Sequence, residues 1–229
     1  MTTTIDLAER TVRELNAELH RPEDTRYQVL NPRGAHAVAA GIDAEIDVEI
    51  HGSVGYYCAG MHQKGTLRLD GNAGTGFAEN IMSGTVRLTG NATMSAGATG
   101  CGGLVVIEGN AGARCGISMK GVDIVVGGNV GHMSGFMGQA GNLVVLGDAD
   151  HDLGDSLYET QIFVRGAVAS LGADCVEKEM RPEHVEVLER LLAEAELGAT
   201  AAEFRRYGSD RNLYNFHVDD IAAEQAGGA

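Results

Sequence analysis

The feature that most constrains this chain is a glycine that returns every nineteen residues. Gly52, Gly71, Gly90, Gly109, Gly128, Gly147 and Gly166 keep that spacing without a slip. A fixed period of this length marks a solenoid, in which each repeat buries its apolar face against the next. Other columns keep step. Two residues before each glycine stand Ile50, Leu69, Leu88, Ile107, Val126, Val145 and Val164; four before stand Val48, Leu67, Val86, Val105, Ile124, Leu143 and Ile162. Two after stand Val54, Ala73, Ala92, Ala111, Val130, Ala149 and Val168, and the residue seven after is always Ala or Gly. Positions −4, −2 and +2 have period two, so they share one side of an extended chain. The glycine between them marks a bend that a Cβ would obstruct. Turns stacked at about 4.8 Å build a prism roughly 34 Å long with aliphatic ladders inside. The expected fold is all-β: a single-stranded, right-handed β-helix of about seven 19-residue turns. The column directly after the glycine runs Ser53, Asn72, Asn91, Asn110, Asn129, Asp148, Ala167. These residue types cap turns and hydrogen-bond from turn to turn, and are read as structural rather than as metal ligands.

The 229 residues include 33 glycines, 3 prolines and no tryptophan, without a Gly-X-Y period, which excludes collagen and argues against a flexible linker. A net charge of −15 would be repelled by nucleic acid and by anionic membrane surfaces, so neither is an expected partner. No 18-residue apolar run occurs, and no basic n-region and apolar h-region mark a secretory signal. Four cysteines without a CxxC pair suit a reducing compartment. The expectation is a soluble cytoplasmic protein.

The flanks leave the repeat. Residues 1–43 read as an N-terminal helix and lead-in cap, 44–179 as the coil, and 180–229 as a C-terminal helical cap and tail. Ile5, Leu7, Val12, Leu15 and Leu19 predict an amphipathic helix over roughly 4–20. Val185, Leu188, Leu191, Leu192 and Ala195 predict a second, with Pro182 in its first turn and Gly198 at its end. A shorter helix is expected around Ala201–Tyr207. Helices at both ends would cover the strand edges that an open coil exposes.

Chemistry-bearing residues are few. Cys58 and Cys115 share a column three turns apart, about 14 Å, beyond disulfide reach and a shared metal; with Cys101 and Cys175 they read as small buried hydrophobes. His132 and His151 stand in one column on adjacent turns, amid Asp148, Asp150, Asp152 and Asp155. That corner is either a solvated acidic surface, or a site for a divalent metal or a pH-sensitive contact. No catalytic triad, Walker loop or dinucleotide fingerprint occurs in a credible context. Position −3 lies between two inward positions and faces outward. It reads Glu49, Arg68, Arg87, then Val106, Val125, Val144, Phe163, changing from charged to apolar halfway along. The apolar half is a candidate partner surface, unless the C-terminal helix covers it.

Over about residues 28–215 the chain resembles the GXGXG domain at the C-terminal end of the glutamate synthase large subunit. The resemblance rests on Asn31-Pro-Arg-Gly-Ala-His-Ala-Val-Ala-Ala-Gly-Ile and Gly52-Ser-Val-Gly-Tyr-Tyr-Cys-Ala-Gly-Met. It is densest in Gly135-Phe-Met-Gly-Gln-Ala-Gly-Asn-Leu-Val-Val-Leu-Gly-Asp, followed by Leu153-Gly-Asp-Ser-Leu-Tyr and Ile162-Phe-Val-Arg-Gly. As a free-standing chain, with the tail Glu203-Phe-Arg-Arg-Tyr-Gly-Ser-Asp-Arg-Asn-Leu-Tyr-Asn-Phe, it is similar to the GXGXG subunit of N-methylglutamate synthase and related split enzymes. The resemblance implies a hetero-oligomer in nitrogen or methylamine metabolism. One partner would be a glutamine-amidotransferase-type subunit, the other a synthase subunit carrying FMN and iron–sulfur clusters. This chain would be their scaffold, with no catalytic, cofactor or metal residue of its own. A lesser resemblance is to the C subunit of formylmethanofuran dehydrogenase and of formyltransferase/hydrolase complexes. A reading of another class is a self-associating structural solenoid.

Overall fold

In a computed structural model, which describes residues 2–213, 216 and 217, the nineteen-residue period becomes a parallel sheet. Seven strands, β3 (Asp47–His51), β4 (Thr66–Asp70), β5 (Thr85–Leu88), β6 (Leu104–Ile107), β7 (Lys120–Val126), β8 (Ala140–Val145) and β9 (Gln161–Val164), stack one per turn. Their register is the period itself: Val48 pairs with Leu67, then Val86, Val105, Ile124, Leu143 and Ile162. The −4 and −2 columns are buried throughout, and a second ladder links Ala73, Ala92, Ala111, Val130, Ala149 and Val168. The expected parallel coil of about seven turns is the structure.

From Gly90 to Gly166 the glycine column exists for room, whereas Gly52 takes a φ of 116°. At Gly109 a Cβ would lie 2.6 Å from the Gly90 carbonyl oxygen and 2.7 Å from Asn91 Oδ1, without any left-handed backbone there. Those side-chain oxygens belong to a continuous ladder. Asn72 accepts from the Asn91 backbone N–H at 2.9 Å, and Asn91, Asn110 and Asn129 accept from the next turn's N–H at 2.8 Å. Where glycine is not obligatory, the corner still bends sharply: Tyr57, Ala59 and Met61 take φ of 60°, 55° and 57°. Each such residue costs about 1–2 kcal/mol. Hydrogen bonds reaching alternately up and down the stack offset that cost. Tyr57 N–H donates to Thr75 at 2.9 Å, Ala59 to Val38 at 3.0 Å, and Met61 to Glu79 at 2.8 Å.

The N-terminal flank departs from the predicted single helix. Thr2–Asp6 is β1, which pairs in parallel with β2 (Arg26–Leu30), itself paired with β3. Consecutive threonines favour strand, and Ile5 joins Val29 and Ile50 in an inward ladder. Only Val12–Leu19 is helical (α1). Thr11 and Glu14 cap it reciprocally at 3.2 and 2.8 Å, and buried Leu15 and Leu19 close that end of the core.

At the other end the chain forms β10 (Cys175–Lys178), helix α2 (Pro182–Ala195) and β11 (Arg205–Ser209), then a short antiparallel pair, β12 (Asn212–Leu213) and β13 (Phe216–His217). Pro182 sits in the first turn as expected, but Glu196, at φ 55°, ends the helix two residues ahead of Gly198. The helix predicted around Ala201–Tyr207 shrinks to one 3₁₀ turn, Ala201–Glu203. Arg205–Ser209 instead runs antiparallel between β9 and β10, because the last coil strand offers unpaired backbone that a strand satisfies.

Candidate interaction surface

The outward −3 stripe is not an open surface. Val106, Val125, Val144 and Phe163 are all 0% exposed, packed with Leu188, Leu191, Leu192 and Ala195 of α2 and with Phe204. The candidate partner surface is therefore a second core between the sheet and its own helix. Of the predicted helix residues, only Val185 stays exposed. Arg87 marks where the footprint ends: its guanidinium donates to the Ala195 carbonyl at 2.9 Å and pairs with Glu108 at 3.2 Å. A cation at a helix C-terminus satisfies an orphan carbonyl and the helix dipole together. The switch from charged to apolar along the column is thus the outline of α2.

The acidic corner does not converge. His132 Nδ1 lies 3.4 Å from Asp152, while His151 turns to Ser170 Oγ at 3.3 Å and keeps Asp150 at 4.0 Å. Among the described residues no group of three or more His, Cys, Asp or Glu could hold a metal ion. Cys58, Cys115 and Cys175 are buried, and burial pushes each thiol up to about 12. Cys101 is exposed, contrary to its reading as a buried hydrophobe, because its column faces outward.

What does stand out is the Tyr/Met edge, the glycine-rich stretch four to eleven residues past the repeat glycine, which carries exposed Tyr and Met side chains. Tyr56, Tyr57, Met61, Met82, Met94 and Met137 are 42–53% exposed. Tyr56 and Tyr57 touch, while the methionines are spread over several turns. Tyr56 is held in place: its ring stacks on His36 at 4.6 Å, and its N–H donates to His36 Nδ1 at 2.9 Å. Tyr57 meets it edge-on at 6.4 Å. Glycine in the next turn makes room for both rings, since a Cβ at Gly74 would lie 2.9 Å from the Tyr56 ring and one at Gly76 2.6 Å from that of Tyr57. The carbonyl of Tyr57 accepts from Gly60 N–H at 3.3 Å, which closes a tight turn just ahead of Met61. Further along, a hollow of about 510 Å³ is lined by Met137, Gln139, Tyr158 and Glu159. These exposed residues are not legible in the repeat, because they do not recur at its period. Tyr56 and Met94 share the +4 column with Thr75, Ala113, His132, His151 and Ser170, and Tyr57, Met61, Met82 and Met137 stand in other columns, so no single column announces them.

The edge offers rigid aromatic rings and adaptable thioethers, the residue types enriched where proteins meet. No helix among the described residues is long and apolar enough to cross a membrane. No family model matches the chain, and no solved structure does. Protein GlxC of Rhizobium meliloti (strain 1021) is 60% identical over 224 residues, which cover 96% of this chain and 98% of that protein.

Proposed function

The chain belongs to the family of Protein GlxC, and on that premise we propose that it is a non-catalytic scaffold subunit of a glutamate-synthase-like complex, of the N-methylglutamate synthase type. The observation that carries this reading is the exposed Tyr/Met edge. Two of the sequence blocks that resemble the glutamate synthase coil, Gly52–Met61 and Gly135–Asp148, place large side chains there: Tyr56, Tyr57 and Met61 from one, Met137 from the other. The coil interior, by contrast, is filled by its own ladders.

In this reading one partner is a glutamine-amidotransferase-type subunit that releases an amino group. The other holds FMN and iron–sulfur clusters and joins that group, or methylamine, to its acceptor. The stacked coil, hydrogen-bonded turn to turn, holds the two at a set distance, as positioned catalysis requires. The assembly works in the cytoplasm.

Co-expression of the tagged chain with subunits of these two kinds, followed by native mass spectrometry, tests the reading. A flavin-coloured complex containing two different partner chains is expected. Tyr57→Asp and Met61→Asp, at positions already half in water, should weaken that complex without unfolding the coil. A homo-oligomer alone, colourless in the visible range, would sink the scaffold reading in favour of a self-associating solenoid.

A further inference from the structure

Among the described residues His62 is the one histidine sealed wholly inside the coil, at 0% exposure. It lies beneath two of the exposed methionines. Met61 precedes it in the chain, and its own carbonyl accepts from Met82 N–H at 2.8 Å. Nε2 is 3.2 Å from the Gly65 carbonyl oxygen, which can only accept, so Nε2 carries the hydrogen and Nδ1 the lone pair. Nδ1 has no hydrogen-bond partner. The next turn presses close enough that a Cβ at Gly84 would lie 2.9 Å from Nε2. A second proton would have to sit on Nδ1, away from water and without an acceptor. Glu45, on the preceding turn, is the charged group facing the ring; it is exposed, as is Lys64 on His62's own turn. Met82, Ser83 and Gly84 of the following turn bring no charge.

We propose that His62 makes this corner acid-sensitive: the ring fits between the turns only when neutral, and protonation opens the contact between residues 61–65 and 82–84. The device is independent of whether the edge above it meets a partner.

Burial lowers the proton affinity of the ring, with the Gly65 carbonyl and Glu45 opposing. The opened corner takes up its proton near the ordinary value of about 6.5, and the closed one does not until lower pH. The closed form therefore loses stability as pH falls below about 6.5, and the loss ends once the closed form itself protonates. The opening equilibrium rises by at most tenfold per pH unit in that window.

Hydrogen exchange of the full chain at pH 7.5 and 5.5, corrected for intrinsic rates, reads this directly. Peptides covering 57–64 and 79–85 should lose protection by up to about tenfold, while peptides from β7 and β8 hold theirs. In His62→Gln, whose amide can donate to the same carbonyl without titrating, that pH dependence should vanish. Equal protection at both pH values in the native chain, or the same acid loss in the variant, would overturn the proposal. Should the variant not fold, nitrogen-15 spectra of the native imidazole decide: a neutral ring with its hydrogen on Nε2 at pH 6 is expected. A charged ring in the closed protein at that pH refutes it.

Discussion

Gly128→Ala separates two reasons for a glycine. Its backbone is not left-handed, so alanine can adopt it. A Cβ, however, would fall on the Asn110 side-chain oxygen and 2.9 Å from the Gly109 carbonyl oxygen. Asn110 must then swing away. Its oxygen gives up the Asn129 N–H at 2.8 Å, and its Nδ2 gives up Asn91 Oδ1 at 3.1 Å. Each lost bond costs about 1 kcal/mol, and the remaining crowding about 1 kcal/mol more. Alanine's smaller unfolded-state entropy returns about 0.5 kcal/mol. The expected loss is about 2–3 kcal/mol, read as a lower urea midpoint at unchanged m-value. Asn110→Ser supplies the control. Ser53 already fills this column, and its hydroxyl accepts the Asn72 N–H at 3.1 Å. The shorter side chain should keep the ladder bond yet clear the space, so the double variant should recover about 1 kcal/mol relative to the sum of the singles. If the two changes add within about 0.5 kcal/mol, the side-chain ladder is not what excludes a Cβ, and the reasoning fails.

Two further outcomes follow from burial. Val125→Glu places a carboxylate under α2, where it has no partner, so the helix should detach while the coil persists. Limited proteolysis should then cut within residues 179–204, with far-ultraviolet spectra still showing strand; protection of that segment would mean that the valine does not lie under the helix. Of the four thiols, Cys101 alone should react with a disulfide reagent at pH 8 before denaturant is added, the other three being buried with their thiols pushed up to about 12. More than one fast equivalent would contradict the packing at Cys58, Cys115 and Cys175.

Much of this fold was legible in the sequence because its contacts recur at one separation. A residue's neighbour in space is its counterpart nineteen positions on, so stacking shows as columns: Val48 to Ile162 inward, Asn72 to Asn129 as a ladder, Gly71 to Gly166 where a Cβ has no room. Single-copy segments carry no such echo. Thr2–Asp6 and Arg205–Ser209 became strands because the sheet had free edges to satisfy, which no local pattern announces. The outer stripe of Val106, Val125, Val144 and Phe163 was visible in the sequence as apolar and outward; that α2 covers it depends on where a distant helix comes to lie. The Tyr/Met edge and His62 belong to the same class, since exposure and a missing acceptor are properties of the folded environment. Periodicity alone determined the coil. Tertiary packing decided which of its faces are closed, which stand open, and where an imidazole has no place for a second proton.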